Sequence, residues 1–436
     1  MIRFELNKLA AWKQSPTRKP LIIRGARQVG KTWLMKEFAR QEYSQCAYIN
    51  LESNSQLSNL FTGDFDVARI LQGIEIFTGL KLEPNNTLII FDEIQEASGA
   101  LTSLKYFQEN APEYHIICAG SLLGVALNNH GSFPVGKVEF LDLHPLSFTE
   151  FMQALGERSL IDLLKNNNWA LVKTFKLRFI ELLKQYYCVG GMPEAVKSYS
   201  ENRDFTEVRN IQKRILAAYE QDFSKHAPNQ MVPRIRMLWN SIPAQLARES
   251  KKFIYGIIKE GARAKEYELA MSWLMDSGLI TKVNRATKPA IPLKAYEDFG
   301  AFKLFLVDIG LLAAMSDLDI KTVLEGNVLF EEFKGALTEQ YVLQQLLVQK
   351  DLVIYYWSAE NGRAEVDFLV QFSGQIVPIE VKAEENLKSK SLRVYHEKYN
   401  PPILIRTSMS DFRKEEWMIN LPLYAIAQLQ SLTDVS

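Results

Sequence analysis

Residues 25–32 read GARQVGKT, and this stretch decides the fold of the first third of the sequence. It fits the pattern G-x-x-x-x-G-K-[ST], in which a glycine-bearing loop joins a strand to a helix. The apolar run from Leu21 to Arg24 precedes it, and a helical pattern from Lys31 to Arg40 follows. Such a loop turns successive N–H groups toward phosphate oxygens, and the helix N-terminus adds partial positive charge. The stretch therefore predicts a nucleotide site.

The residue types in this loop predict which of them contact the phosphates of ATP and which of them contact Mg²⁺. Lys31 is expected to reach the β and γ phosphates of ATP, and Thr32 is expected to hold Mg²⁺. The remaining contacts are expected from backbone groups of the loop. The predicted nucleotide-binding residues are Gly25, Ala26, Arg27, Gln28, Val29, Gly30, Lys31 and Thr32.

Two acids end the next strong strand pattern, which runs from Thr87 to Phe91. A buried strand has no reason to end in carboxylates unless a cation is near, because desolvating a charge is costly. We therefore predict that Asp92 polarises the ligands that surround Mg²⁺ and that Glu93 activates the attacking water. Both motifs together predict an ATPase.

Three further residues are candidates for contacts with the γ phosphate. Ser121 follows the strand pattern from Tyr114 to Ala119 and is predicted to sense that phosphate. The alternative for Ser121 is an ordinary turn residue, since small polar residues are common in turns. Hydrolysis also requires a positive charge to stabilise the transition state, and Arg27 and Lys137 are the candidates.

Composition and charge limit the other classes of protein that this chain can belong to. The 436 residues carry 51 Lys plus Arg and 51 Asp plus Glu, so overall charge indicates no general attraction to nucleic acid or anionic membranes. Three cysteines without metal-ligand spacing predict neither a zinc site nor a disulfide framework. No apolar run approaches the ~18 residues of a membrane span, so we expect a soluble, cytoplasmic protein without a membrane partner.

The pattern along the chain predicts an α/β fold in four parts. Residues 1–150 alternate strands and helices, which predicts a parallel sheet covered by helices. Residues 151–225 have helical periodicity and are interpreted as a connector or lid. Residues 226–320 give helices followed by short strands, which suits a winged helix, and a fresh α/β pattern fills residues 325–436.

The stretches GARQVGKT, IIFDEIQ, AGSLL, VEFLDLHPLSFTEF and YYCVGGMPEAV occur in this order. With them the chain resembles a widespread prokaryotic group of AAA-type ATPases, over nearly its full length. Members of this group carry a C-terminal domain of unknown function with a restriction-endonuclease-like pattern. The resemblance implies the nucleotide roles already given to Lys31, Thr32, Asp92 and Glu93. This chain departs from the group at Lys137, where an arginine is common.

A second set of charged residues lies near the C-terminus, on two strand patterns. Glu365 and Asp367 share one side of the first strand, and Glu380 and Lys382 share one side of the second, because side chains alternate. This pattern resembles magnesium-dependent phosphodiesterases of restriction-enzyme type. The resemblance implies metal ligation by Asp367 and Glu380 and activation of water by Lys382, with Glu339 as an accessory metal-binding acid.

The alternative for these acids is a solvated strand face. Local charge also opposes nucleic-acid binding here, since residues 325–385 carry eleven acidic and four basic side chains. Residues 231–265 reverse the balance, with eight basic and two acidic side chains. A winged helix with such a basic segment can dock on duplex phosphates, although a solvent face or a subunit contact is the alternative.

Three hypotheses follow. The first is an ATP-hydrolysing molecular switch that couples nucleotide state to the nuclease-like domain. The second is an ATP-regulated, metal-dependent DNA or RNA nuclease. The third is a non-catalytic adaptor that ATP locks into one shape for a protein partner or for a second copy of the chain.

Overall fold

The computed structural model describes residues 2–120, 133–248, 250–325, 331–359, 362, 364–385 and 389–433. Ser121, the predicted phosphate sensor, lies outside the described residues. The chain divides into two compact units. The N-terminal unit comprises Ile2–His144 and Asp276–Leu279, and the C-terminal unit comprises Pro145–Met275 and Ile280–Ser436.

A five-stranded parallel sheet forms the centre of the N-terminal unit. Its order is β2-β3-β4-β1-β5, so β1, which leads into the glycine loop, lies between β4 and β5. The bounds of β1, β3 and β4 agree with the predicted strands to within one residue. The strands are β1 (Leu21–Arg24), β2 (Gln45–Asn50), β3 (Thr87–Asp92), β4 (His115–Ala119) and β5 (Glu139–Asp142).

Helices pack on this sheet because its central strands are apolar on both faces. Every residue of β3 and β4 is buried, as expected for parallel strands covered on two sides. One core cluster joins Ile89 and Phe91 of β3 to Ile70 and Leu104 on the covering helices. These helices are α1 (Glu5–Gln14), α2 (Lys31–Glu42), α3 (Val67–Thr78) and α4 (Ala100–Asn110).

The C-terminal unit opens with helices, as the sequence pattern predicts. Ser147 starts the first of them through a capping box, in which its hydroxyl accepts from the Glu150 N–H and the Glu150 carboxylate accepts from the Ser147 N–H. The helices up to the first strand are α5 (Phe148–Ala154), α6 (Arg158–Lys165), α7 (Trp169–Thr174), α8 (Lys176–Val189), α9 (Pro193–Asn202), α10 (Phe205–His226), α11 (Val232–Leu246), α12 (Tyr255–Ile258) and α13 (Ala264–Asp276).

Two glycines of the GGMPEAV stretch fix close packing within this unit. A Cβ on Gly190 would lie 2.2 Å from Oδ1 of Asp308, and one on Gly191 would lie 2.2 Å from the carbonyl oxygen of Leu146. The Leu146 N–H donates to the Gly191 carbonyl at 2.7 Å. The stretches PLSFTEF and GGMPEAV are therefore hydrogen-bonded to each other. Gly190 and Gly191 are both required, because a Cβ at either position would clash with these neighbours.

An eight-stranded mixed sheet completes the C-terminal unit, in the order β12-β13-β11-β10-β9-β8-β6-β7. It joins strands from both the predicted winged helix and the predicted C-terminal domain, through the parallel pair β6–β8. The strands are β6 (Ile280–Ala286), β7 (Glu297–Leu306), β8 (Val353–Ser358), β9 (Glu365–Phe372), β10 (Gln375–Val381), β11 (Ile405–Ser408), β12 (Arg413–Lys414) and β13 (Ile419–Pro422).

The remaining helices of this unit are α14 (Ile309–Met315), α15 (Ile320–Glu325), α16 (Glu331–Leu347), α17 (Lys390–Tyr399) and α18 (Leu429–Thr433). The four-part domain division, including the lid and the winged helix, stays a prediction. Among the described residues, no helix combines the length and apolar character that a bilayer crossing requires.

His115, the first residue of β4, is a buried polar group in the N-terminal unit. Its Nδ1 lies 2.6 Å from the Tyr43 hydroxyl, and its Nε2 lies 3.2 Å from Oδ1 of Asn85. Burial, aided by the charges of Arg18 and Lys13, lowers the pKa of His115 to about 4. The neutral ring is therefore the form that the folded protein holds at neutral pH.

We predict an acid-dependent loss of stability from His115. Its folded pKa of about 4 lies below the ordinary value of 6.5, so the unfolded chain binds the proton first as the pH falls. The contribution is complete above pH 6.5 and is lost between pH 6.5 and 4, at no more than about 1.4 kcal/mol per pH unit. Urea unfolding of wild type and His115→Asn at pH 7 and pH 5 measures it, and wild type should lose more stability. Equal losses would contradict the assignment.

Candidate functional site

The glycine loop has the curled backbone that its sequence predicts. Gly25 has φ +146° and Gly30, directly before α2, has φ +95°. Gln28, between them, also adopts a positive φ of 66°. A Cβ on Gly25 would lie 2.2 Å from the carbonyl oxygen of Leu143, which follows β5. Both glycines are therefore required by conformation, and the first also by space.

Lys31, the first residue of α2, is held inside this loop. Its side chain is buried, and Nζ donates to the carbonyls of Gly25 and Ala26, at 2.9 Å each. Burial lowers the pKa of Lys31 to about 8, although Glu93 and Asp92 oppose this shift. A cation removed from water in this way interacts strongly with any anion that replaces the two carbonyls.

Thr32 and Asp92 are brought into direct contact, although they are 60 positions apart in the sequence. Thr32 Oγ1 donates to Asp92 Oδ2 at 2.7 Å, and the Tyr48 hydroxyl donates to the same oxygen at 2.9 Å. The Glu93 N–H lies 3.2 Å from Asp92 Oδ1. Asp92 is only 3% exposed, and these contacts compensate for the desolvation of its carboxylate. Tyr48 was missed by sequence reasoning, because one tyrosine in β2 resembles an ordinary core residue.

Glu93 lies directly after β3 in a left-handed backbone conformation, with φ 51° and ψ 49°. Its Oε2 accepts from Gln95 Nε2 at 2.7 Å. Left-handed backbone is costly for a residue with a side chain, and such strain is concentrated at functional sites. This turn ends β3, and the Glu93 side chain has Gln95 as its polar partner.

The two candidates for the transition-state charge differ in their surroundings. Arg27 lies in the loop, and its charge is the smallest of the contributions that shift the pKa of Lys31, in the lowering direction. Lys137 forms an ion pair with Glu109, with 2.9 Å between Nζ and Oε1. Neither role is tested by these contacts, so both stay predictions.

Gly278 is a further residue of the loop environment that sequence reasoning missed. It belongs to the short segment of the N-terminal unit formed by Asp276–Leu279. Its φ is +73°, and a Cβ there would lie 3.0 Å from the backbone nitrogen of Ala26. A glycine in a turn gives no sequence signal for such a contact, because turns use glycine for many reasons.

The C-terminal acids converge in the C-terminal unit. Glu339 lies on α16, Glu365 and Asp367 on β9, and Glu380 on β10. On β9 the predicted alternation is confirmed, because Val366 and Phe368 are buried and Glu365 and Asp367 are half-buried, whereas on β10 Ile379, Glu380 and Val381 are all buried. The solvated-face alternative is wrong for β10, since Glu380 is 3% exposed and β9 and β10 lie inside an eight-stranded sheet, whereas Glu365 and Asp367 are half-buried.

Two lysines that sequence reasoning missed cover these acids. Lys303 of β7 is 0% exposed, and its Nζ lies 2.6 Å from Glu365, 3.4 Å from Glu339 and 3.8 Å from Asp367. Lys251 contacts Glu339 at 2.5 Å. The signal for Lys303 was its place in the apolar run AFKLFL, residues 301–306, where a lone lysine requires a buried partner.

The ion pairs shift the protonation of these groups. Burial alone lowers the pKa of Lys303, but the charges of Glu339, Glu365 and Asp367 outweigh it and raise that pKa. Burial would raise the pKa of Glu339, and Lys251 and Lys303 instead lower it. Lys303 is therefore a cation in the folded protein, and Glu339 is its anionic partner.

The predicted nuclease roles are untested. Lys382 contacts Glu380 at 2.8 Å, as their shared strand face predicts. In the part of the chain that the structure describes, no three His, Cys, Asp or Glu side chains are arranged to hold a metal ion. Metal ligation by Glu339, Asp367 and Glu380 stays a prediction from the resemblance.

Family models match three parts of the chain. Residues 17–152 match an AAA domain. Residues 180–322 and 334–426 match two domains of unknown function, DUF8612 and DUF4143. No curated protein matches the sequence.

Among solved structures, a Walker-type ATPase of Pyrococcus abyssi is 15% identical, with a TM-score of 0.44 over 72% of this chain and 94% of that chain. The Orc1 protein of Aeropyrum pernix, solved in complex with DNA, is 12% identical, with a TM-score of 0.28 over 73% and 93%. A RuvB variant of Thermotoga maritima is 12% identical, with a TM-score of 0.28 over 64% and 87%. TM-scores this low assign neither a fold nor a function to this chain.

The family match and the geometry of the N-terminal unit agree with each other. Its five-stranded parallel sheet carries the glycine loop after β1 and the two acids at the end of β3. Residues 17–152 are therefore similar to an AAA domain, both in sequence and in the order of the glycine loop and the strand-terminal acids.

Proposed function

We propose that the N-terminal unit binds ATP with Mg²⁺ and hydrolyses it, and that nucleotide state controls the C-terminal unit as a molecular switch. The observation that carries this proposal is the 2.7 Å contact between Thr32 and Asp92 beside the buried amine of Lys31. A hydroxyl, a carboxylate and an ammonium from two distant motifs meet where the phosphates of ATP would need them.

ATP binding would exchange contacts that Lys31 already makes. In the proposed complex, its ammonium leaves the carbonyls of Gly25 and Ala26 and contacts the β and γ phosphates. Backbone N–H groups of residues 25–30 and the N-terminus of α2 supply further donors. Because the amine is already desolvated, little of the binding energy is spent on removing water from it.

The oxygens near Lys31 also fit a magnesium ion. Mg²⁺ prefers oxygen ligands and is usually held by one or two protein groups together with phosphate oxygens and water. Thr32 Oγ1 and Asp92 Oδ2 form such a pair, and Tyr48 holds the carboxylate in place from the other side. The metal would neutralise charge on the β and γ phosphates.

For hydrolysis, we assign Glu93 to orient the attacking water and accept its proton. Gln95 acts as a positioning residue through its contact with the Glu93 carboxylate. A cation is also needed at the transition state, and Arg27 in the loop and Lys137, which pairs with Glu109, are the candidates within this unit. A second copy of the chain or a protein partner is the other source of this charge.

The switch part of the proposal starts from chain connectivity. The chain passes between the two units at residues 144–145, and again on either side of Asp276–Leu279. The helices α11–α13 followed by the antiparallel pair β6–β7 support the winged-helix interpretation, and β9–β10 support the nuclease-like one. DNA, RNA or a protein is the proposed partner of these parts.

We predict that Lys31→Ala and Glu93→Gln fail at different steps. Lys31→Ala should lose ATP binding, because the main phosphate cation is removed. Glu93→Gln should bind ATP as wild type does but hydrolyse it ~100-fold or more slowly, the usual contribution of a general base. Calorimetry measures binding and radiolabelled ATP measures turnover, with the exposed Glu96→Gln as the matched control. Tight binding by wild type without turnover would favour the adaptor hypothesis.

We predict a narrower defect for Tyr48→Phe. Losing one hydrogen bond to a charged group costs about 1.5 kcal/mol, so the magnesium concentration for half-maximal turnover should rise about tenfold. ATP binding without magnesium should be unchanged. Tyr106→Phe is the control, because the Tyr106 ring stacks on Phe65 and lies beside Lys105, and both contacts are made by the ring. An unchanged magnesium dependence in Tyr48→Phe would remove Asp92 from the proposed metal site.

A further inference from the structure

The C-terminal carboxylate cluster, formed by Glu339, Glu365, Asp367 and Glu380, already contains a cation. Lys303 enters it from β7, a strand that lies outside the nuclease-like pattern of residues 325–436. Its side chain is fully buried, so its charge is not screened by water. The nearest groups to its ammonium are the carboxylates of this cluster and the ring of Tyr356, whose centroid is 5.0 Å away.

The position of the Lys303 nitrogen is the position that a metal would need. It lies 2.6 Å, 3.4 Å and 3.8 Å from oxygens of Glu365, Glu339 and Asp367. A divalent ion bound by oxygens of the same carboxylates at ~2.0–2.6 Å would overlap this nitrogen. The residues present therefore do not fit a resident metal while Lys303 stays in place.

The charge balance leads to the same result. The four carboxylates face three ammonium groups, those of Lys251, Lys303 and Lys382, so the formal charge of the set is no more negative than −1. A divalent cation would overcompensate this charge and would be repelled by a buried lysine at contact distance. Without the Lys303 charge the set carries −2, which a divalent ion balances.

One oxygen of the cluster has no partner. Glu380 Oε2 is buried and lacks a hydrogen bond among the described residues, while Oε1 of the same carboxylate contacts Lys382. Ile379 pairs with Phe368, so Glu380, the next residue of β10, lies beside Asp367 of β9. A buried acceptor without a donor is costly, and a bound cation would relieve that cost.

From these contacts we infer that Lys303 is a built-in cation that takes the place of a divalent metal and closes the carboxylate cluster to metal ions. The latent metal site consists of the carboxylates that Lys303 contacts, those of Glu339, Glu365 and Asp367, and it opens when the Lys303 charge is removed. In the intact chain the cluster is an ion-pair core that joins β7 to α16 and β9. The C-terminal unit accordingly performs no metal-dependent phosphodiester cleavage in this state. This inference does not depend on ATP binding or turnover.

The test measures Mn²⁺ binding to the full chain without nucleotide, by the loss of the free Mn²⁺ signal in electron paramagnetic resonance. Lys303→Met, which keeps the length and apolar character of the stem, should gain one Mn²⁺ site per chain. That site should bind about tenfold or more tightly than any site in wild type. The double variant Lys303→Met, Asp367→Asn should lose it. Mn²⁺ should also raise the melting temperature of Lys303→Met and not that of wild type.

Lys282→Met is the matched control, because Lys282 lies on the neighbouring strand β6 and its amine contacts the ring of Phe302 instead of a carboxylate. It should gain no site. A folded Lys303→Met that gains no Mn²⁺ site would overturn the inference. If Lys303→Met does not fold, wild type and Asp367→Asn decide the question: equal Mn²⁺ binding supports it, and binding by wild type that Asp367→Asn abolishes overturns it.

Discussion

The cost of removing a charge from water is the constraint on which both sites in this chain depend. Asp92 ends a fully buried strand, and its carboxylate is retained there because Thr32, Tyr48 and the Glu93 N–H donate to it. These contacts join the glycine loop to β2 and β3. The contacts of the proposed magnesium site are therefore also bonds that stabilise the carboxyl edge of the sheet, so a substitution at one of these residues affects both.

The cost of burying charge applies to the C-terminal carboxylate cluster as well, but there the compensating cations are lysine side chains. Four carboxylates on α16, β9 and β10 need cations, and the chain supplies them as lysines from β7 and from the loop after α11. A loop lysine or a strand lysine is permanent, whereas a metal ion exchanges with solvent. The same pattern of acids thus supports catalysis when the cation is a metal and supports packing when it is a side chain.

Local patterns were predictable, and long-range partners were not. The strands β1, β3 and β4, the curled loop and the alternation along β9 follow from periodicity and motif spacing, which are properties of neighbouring residues. The contact of Tyr48 with Asp92 and that of Lys303 with Glu365 join residues 44 and 62 positions apart, so spacing could not reveal them. The joining of β6 to β8 in one sheet was missed for the same reason. Burial of Glu380 then ruled out the alternative of a solvated face on β10.

The sheet order has a practical consequence for anyone who dissects this protein. Cutting the chain at residue 325, where the nuclease-like pattern begins, would separate Glu339 and Asp367 from Lys251 and Lys303. It would also strip β6 and β7 from the edge of the eight-stranded sheet and leave β8 as a new, unpaired edge. Such a fragment would carry an excess of buried negative charge that the whole protein never has. Metal uptake or aggregation of the fragment would therefore be a property created by the cut.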